Sequence, residues 1–311
     1  MIRSTTAHAQ KSKQRIVGFL NSASQTDYAA MAEAFSQGLA STGYVDGQHI
    51  RIEYRWANND YGRLPTLVAE LLSLGVSVIA ANGPSVQPAK AATSVVPIVF
   101  LTGGDPVALG LVASLSHPGG NLTGVNIFSV DLGAKRLALL KEMVPTAKTI
   151  GVLINSNLLG VDRFRSAVEV AATKLGVALK IMAVNSAADI DAVFGTLARD
   201  HIDALLIGSG PLMDSLSNQL AERAAKIALP AGFESRSAVL AGGLMSYGPS
   251  VRDGYRQMGS YTGRILSGDK PADLPVLQST TFDFAINQRT ATAIGITVPT
   301  SLLAYAEVVL E

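Results

Sequence analysis

PIVFLTGGDPVALGLVASLSHPGGNLTGV, residues 97–125, is the stretch from which the fold reads outward. It opens with Ile98-Val99-Phe100-Leu101, an apolar and β-branched run of the length that buried parallel strands use. Thr102-Gly103-Gly104-Asp105-Pro106 follows at once. The paired glycines permit a tight turn, and Asp before Pro suits an N-cap followed by the first position of a short helix. His117-Pro118-Gly119-Gly120-Asn121 then breaks the chain, and residues 122–126 leave it as an extended segment passing from one lobe to another. A strand whose carboxyl end opens on Gly, Thr and Asp is where an open α/β sheet places its ligand.

The same strand–helix rhythm extends in both directions. Before this stretch, strands are expected at 16–20, 49–56 and 76–81, with helices at 27–42, 64–74 and 86–93. Beyond it the rhythm starts anew, with strands at 149–154, 178–184, 204–207 and 229–233 and helices at 132–143, 162–175, 189–200 and 213–226. Such alternation signals parallel sheets covered on both faces. The order loosens after Glu234: a short strand at 242–248, a long helix at 251–266 and an extended run at 276–286 complete no unit with what precedes them. The economical topology is α/β, two doubly wound parallel-sheet lobes joined by three hinge crossings. It assigns 15–122 plus 242–268 to lobe 1 and 123–241 plus 269–311 to lobe 2. The crossings then fall near 122–126, 233–243 and 269–278.

Composition narrows the function classes. Net charge is +1, so no nucleic-acid or anionic-membrane surface is implied. No apolar run approaches the ~20 residues of a spanning helix. There is no cysteine, which excludes disulfides, thiol catalysis and thiolate metal sites. His8, His49, His117 and His201 lie far apart and none has metal-ligand spacing to a partner, so no metal and no cofactor is expected. Neither a phosphate-binding loop nor a nucleophile elbow appears. At the start, Ala7-His8-Ala9 has the small-residue pattern of a signal-peptidase site, and residues 1–14 read as a signal remnant or a plain tail.

Particular wording resembles the substrate-binding proteins of a bacterial ABC-transporter family whose better-known members take up tryptophan and tyrosine. The residues that carry the likeness include Arg15-Ile16-Val17-Gly18-Phe19-Leu20, Phe35-Ser36-Gln37-Gly38-Leu39, Gly43-Tyr44-Val45-Asp46-Gly47-Gln48 and Ile52-Glu53-Tyr54-Arg55-Trp56-Ala57. Gly104-Asp105-Pro106-Val107, Leu109-Gly110-Leu111-Val112 and Pro118-Gly119-Gly120-Asn121-Leu122-Thr123-Gly124-Val125 extend it. The resemblance implies the type I periplasmic binding-protein architecture, an exported, periplasmic and monomeric protein, an ABC permease as partner, and a small-molecule ligand such as an amino acid or aromatic carboxylate. A ligand-sensing regulatory domain and a two-domain enzyme are the rival classes. Only about 14 residues precede the first strand, too few for a helix-turn-helix. No Ser–His, His–carboxylate or metal constellation supports an enzyme, so non-enzymatic binding is the expectation.

A cleft between such lobes needs polar groups at strand ends on both sides. Candidates in the first half are Asn21 and Ser22, Asn82, Gly83 and Ser85, and Thr102, Gly103 and Asp105, with Asn126 at the exit. The second half offers Asn155, Ser156, Ser209 and Glu234. Each is also an ordinary turn or cap residue, and it is their recurrence after strands in both halves that points to a site. Ser85 and Gly83 would meet a ligand carboxylate. Glu234 or Asp105 would meet its ammonium group, with Asp105 also readable as a cap and Glu234 as a partner of Arg236. Tyr247 would cover the ligand side chain, with Tyr28 and Phe128 as rivals, and the helix carrying Tyr255 reads as core packing.

Overall fold

The computed structural model describes residues 14–311 and resolves two sheets. The expected tail at 1–14 therefore lies outside the described residues apart from Gln14. The first half supplies β1 (Arg15–Asn21), β2 (Ile50–Trp56), β3 (Val78–Asn82), β4 (Ile98–Thr102) and β5 (Leu122–Asn126). Between them run α1 (Gln25–Ala40), α2 (Leu64–Ser73) and α3 (Val86–Ala92). The second half contributes β6 (Thr149–Ile154), β7 (Ala178–Ala183), β8 (Ala204–Ile207), β9 (Ala231–Phe233) and β10 (Met245–Pro249). Its helices are α4 (Gly133–Met143), α5 (Val161–Leu175), α6 (Ile190–Arg199), α7 (Pro211–Ser215), α8 (Ser217–Lys226) and α9 (Arg236–Leu240). The long α10 (Val251–Leu266), β11 (Leu277–Gln278), β12 (Phe282–Asn287), α11 (Gln288–Ala293), α12 (Thr300–Tyr305) and β13 (Val308–Leu310) follow.

The first sheet runs β2-β1-β3-β4-β5-β11 and the second β7-β6-β8-β9-β10-β12-β13. Both share the order in which the second strand of the half lies outside the first, a doubly wound pattern that opens a crevice at the carboxyl ends of the strands. All pairings are parallel except β10 with β12. Each sheet is buried on both faces. Along β1, Val17 and Phe19 face a core shared with Phe35 and Tyr255, while Ile16 and Leu20 face one shared with Leu71 and Phe100. In the second sheet Val152 packs with Phe164 and Phe284 on one side, and Leu153 with Phe194 and Leu220 on the other. Such two-sided burial explains why the strands read as apolar runs without alternation.

Three crossings join the sheets, and their positions correct the expectation in detail. Leu122–Asn126 is not itself a crossing but a strand of the first sheet, and the chain departs after it. Met245–Pro249 belongs to the second sheet, not to lobe 1, because it pairs with β9 and β12. The chain crosses only at Ser250, whose side chain accepts from the Asp253 amide and starts α10. From there α10 packs on α1 of the first lobe through a glycine on each helix. A Cβ on Gly38 would come 1.9 Å from the Arg256 carbonyl, and one on Gly259 2.0 Å from that of Phe35. The extended run near 276–286 is divided: β11 joins the first sheet, β12 the second, and the third crossing lies at 279–281. Strand periodicity identifies an extended segment but not the sheet it joins. The short helix expected after Asp105 is a set of turns. Asp105 Oδ1 accepts from the amides of Val107 at 2.9 Å and Ala108 at 3.3 Å, and Gly110 takes positive φ.

Candidate functional site

The carboxyl ends of the two sheets face one partly enclosed cleft between the lobes. The first lobe lines it with Asn82 and Gly83 after β3, Leu101–Gly104 at the end of β4, Tyr28 of α1, and Val251 and Tyr255 of α10. The second lobe contributes Leu158 and Leu159 after β6, Gly210, Pro211 and Asp214 around the start of α7, and Glu234 after β9. Ile127, Ser129 and Val130 of the first crossing form the floor. The walls are mainly apolar with a few convergent polar groups, the usual make-up of a small-molecule site.

A buried amide cluster sets the first-lobe side. Asn21 Nδ2 donates to the Tyr255 hydroxyl at 2.8 Å, and Asn82 Nδ2 donates to Asn21 Oδ1 at 3.1 Å and Ser22 Oγ at 3.2 Å. Asn82 Oδ1 accepts from the Ser22 amide and the Ser85 hydroxyl, each at 2.9 Å. Every such bond satisfies a group that would be costly to bury unpaired. The cluster holds the turn at Gly83 in place, and a Cβ at Gly83 would meet nothing within 4 Å. Burial, partly offset by the bond from Asn21, raises the Tyr255 hydroxyl well above the usual tyrosine range.

Two carboxylates face the cleft from the second lobe. Glu234 Oε2 accepts from the Gly210 amide at 3.2 Å. Asp214 Oδ2 accepts from the Tyr28 hydroxyl at 3.2 Å, a bond that spans the lobes. Burial, with the neighbouring Glu234 charge added, pushes Asp214 up to about 6. Tyr28 is raised well above its ordinary value by burial and then by Asp214. Two more contacts cross between lobes: Asn155 Nδ2 donates to the Tyr61 hydroxyl at 3.1 Å, and Arg163 lies 3.7 Å from Asp105.

Of the residues singled out from the sequence, Asn82, Gly83, Thr102, Gly103 and Glu234 line the cleft, as do Tyr28, a rival to Tyr247, and Tyr255, read as core packing. The others are placed elsewhere. Asn21, Ser22 and Ser85 stand behind the wall, and the Ser85 hydroxyl is committed to Asn82 rather than to a ligand. Asp105 caps a turn. Asn126 is buried, its Oδ1 accepting from the Phe128 amide at 2.9 Å to turn the first crossing. Asn155 belongs to the cross-lobe contact, and Ser156 is exposed with its amide donating to Asn185. Ser209 is buried beneath the floor against Arg136. Tyr247 faces away from the cleft, stacked on Phe282 at 6.4 Å and edge-on to Phe284 at 6.1 Å. It sits opposite Phe284 within the sheet, short of the strand end where ligand groups gather. Sequence reasoning misses Asp214. Its signal is Gly210-Pro211, with Pro at a first helical position, which starts a helix right after β8 and carries Asp214 into its first turn.

The profile of the family described as ABC transporter substrate binding protein matches residues 18–310. The chain belongs to that family. A tyrosine-binding protein of Clostridioides difficile is 26% identical over 284 residues, covering 91% of this chain and 81% of the relative. An ABC domain from Streptococcus pneumoniae, solved in complex with L-Trp, is 27% identical with a TM-score of 0.87, covering 96% of this chain and 100% of that one. A substrate-binding protein with adhesive properties from Clostridium difficile, solved ligand-free and open, is 28% identical but has a TM-score of 0.66, covering 95% and 99%. The contacts across this cleft agree with a closed arrangement. The family and the architecture expected from the sequence are therefore shown, and the protein is a substrate-binding protein of ABC transport.

Proposed function

We propose that this protein captures an aromatic amino acid outside the cytoplasm and delivers it, as a monomer, to an ABC permease. The observation that carries the reading is the carboxylate pair, Asp214 and Glu234, facing a mainly apolar cleft. An ammonium group would sit between the two carboxylates, where charge-assisted hydrogen bonds are strongest. The ligand carboxylate would approach the backbone at Gly83, where a Cβ would meet nothing within 4 Å. Its aromatic side chain would lie among Leu101, Ile127, Leu158, Leu159 and Tyr255. The tyrosine and tryptophan named for the two relatives support this class. Closure would follow from the ligand touching both lobes at once, since only a ligand that favours the closed state shifts the population toward it. The role is binding and release rather than turnover.

The test is a thermal-shift and calorimetric comparison of L-Trp, L-Tyr and L-Phe with tryptamine and indole-3-propionate, each lacking one of the two charges. A ligand at 100 times its dissociation constant stabilises by ~2.7 kcal/mol. At least one aromatic amino acid should do so, with both truncated analogues at least about tenfold weaker. Scattering should show a smaller radius of gyration with ligand. Stabilisation by another ligand class and by no aromatic amino acid would remove the reading, and an unchanged radius would remove the closing mechanism.

A further inference from the structure

Arg136, on α4 beneath the cleft floor, is fully buried and is the largest side chain so placed. None of the described carboxylates forms an ion pair with it. Its partners are neutral: Nη2 donates to Ser209 Oγ at 2.5 Å and to the Ser129 carbonyl at 3.4 Å, and Nη1 to the Tyr247 carbonyl at 3.3 Å. Its Nε has no partner, and the guanidinium lies 5.9 Å from the centre of the Phe164 ring. A buried cation with neutral partners is costly unless something requires its charge or its geometry.

Those partners are not scattered. Ser129 lies in the first crossing, and Tyr247 lies two residues before the end of β10, which leads into the second. Ser209 Oγ also donates to the Ser129 carbonyl at 2.9 Å, closing a triangle with the guanidinium. The residue after Ser209 is Gly210, whose amide holds Glu234. One planar fork thus fastens the first crossing and the end of β10 to the turn whose amide holds Glu234, an arrangement a point-like ammonium would not reproduce.

The charges agree with the geometry. Glu234 is the anion that acts on Arg136, and it also acts on Asp214 and Tyr28. Asp27 and Tyr255 complete the titratable groups around the pair. Arg136 offsets one of the two carboxylate charges. Removing the cation from beside Glu234 makes it costlier for the two neighbouring carboxylates to be charged together.

We infer that Arg136 is a positioning residue for ligand capture, tying the first crossing and the end of β10 to the Ser209-Gly210 turn and thereby setting Glu234 at the cleft. The inference rests on the amino-acid reading above. It is tested by titrating L-Trp and L-Tyr calorimetrically from pH 5 to 9 into the parent, Arg136→Gln and Arg136→Lys, with circular dichroism as a check on folding. The parent's own binding reports on the ligand reading, and only the differences among variants report on Arg136. Arg136→Gln should bind at least about tenfold more weakly, with its acid-side midpoint moved up by roughly one pH unit. Arg136→Lys should also bind more weakly but keep the parent's midpoint, because it keeps the charge and loses the fork. A folded Arg136→Gln that follows the parent's pH curve overturns the inference, as does an Arg136→Lys whose midpoint moves. Should Arg136→Gln not fold, Arg136→Lys decides alone: weaker binding at an unmoved midpoint supports the role, and parental affinity or a moved midpoint overturns it.

Discussion

The phenol of Tyr28, on the first lobe, donates a hydrogen bond to Asp214, on the second, at 3.2 Å. This bond joins one lobe to the other, so it acts on the hinge and not within either lobe. The Tyr28 ring is separately anchored edge-on to Tyr255 at 6.1 Å. Tyr28→Phe should therefore leave the melting temperature of the ligand-free protein within a degree or two. Ligand affinity should fall by roughly tenfold, at the lower end of what a hydrogen bond to a charged group contributes. Scattering on the ligand-free variant should report a larger radius of gyration than the parent. An unchanged radius together with parental affinity would show that this bond does not act on closure.

Asp214 makes stability and binding depend on pH in opposite senses. Its carboxyl titrates near 6 in the folded protein, against an ordinary value of 3.8. Between those values the folded state holds more protons than the unfolded one, so this group makes the empty protein less stable as pH rises from about 4 to 6. Asp214→Asn should accordingly be more stable than the parent at pH 7–8, by on the order of 2 kcal/mol, with the gain gone near pH 4. Binding runs the other way, since an ammonium ligand needs the anion. The thermal shift produced by L-Trp or L-Tyr in the parent should grow from pH 5 to pH 7.5 and be small throughout in Asp214→Asn. Melting curves across that range, with and without ligand, check both halves, and a ligand shift independent of pH would contradict the assignment.

Much of the architecture is legible in the amino-acid sequence alone. Ile98–Thr102 and its neighbours announce themselves as strands because two-sided burial demands unbroken apolar runs. The glycines that follow mark where the ligand face must be. Legibility fails where a choice depends on partners distant in sequence. Nothing local to Met245–Pro249 says that its neighbours are β9 and β12, so local pattern puts the second crossing too early. Asn21, Ser85 and Ser209 have the residue types of ligand contacts, yet behind the wall Asn21 and Ser85 bond Asn82 and Ser209 bonds Arg136. Tyr255 shows core spacing and is core along most of its ring, while its hydroxyl end anchors the amide cluster beside the cleft. Type and position along a strand indicate where a polar residue sits; which atom it faces is a tertiary property.

The seam between α1 and α10 makes a separate prediction about stability. A Cβ at residue 38 would lie 1.9 Å from a backbone carbonyl of α10, and a backbone atom cannot move aside as a flexible side chain can. Gly38→Ala must push the two helices apart and open the core that contains Phe35, Leu39 and Met258. We expect a loss of about 3 kcal/mol or more, at the upper end of overpacking costs, despite the better helix propensity of alanine. Urea unfolding measures it, and a variant as stable as the parent would mean the helices are not held in this contact.

The carboxylates are finally separated by comparing Glu234→Gln with Asp105→Asn. Glu234 lines the cleft, and its Oε2 is held by the Gly210 amide, so its other oxygen remains for a ligand. Asp105 spends Oδ1 on the amides of Val107 and Ala108 and has Arg163 at 3.7 Å from Oδ2, with about a third of its side chain exposed. Replacing Glu234 by Gln keeps an acceptor for Gly210 but removes the charge that meets the ammonium. Affinity for an amino-acid ligand should fall at least about tenfold, since hydrogen bonds to charged groups contribute roughly 1.5–3 kcal/mol. Asp105→Asn keeps an oxygen that can cap the same turn, and its exposed ion pair contributes little. Its affinity should stay within about twofold of the parent. Calorimetry on both, each confirmed folded by its melting curve, gives the answer directly. Parental binding by Glu234→Gln together with a large loss in Asp105→Asn would move the ammonium site out of the cleft centre to the turn after β4.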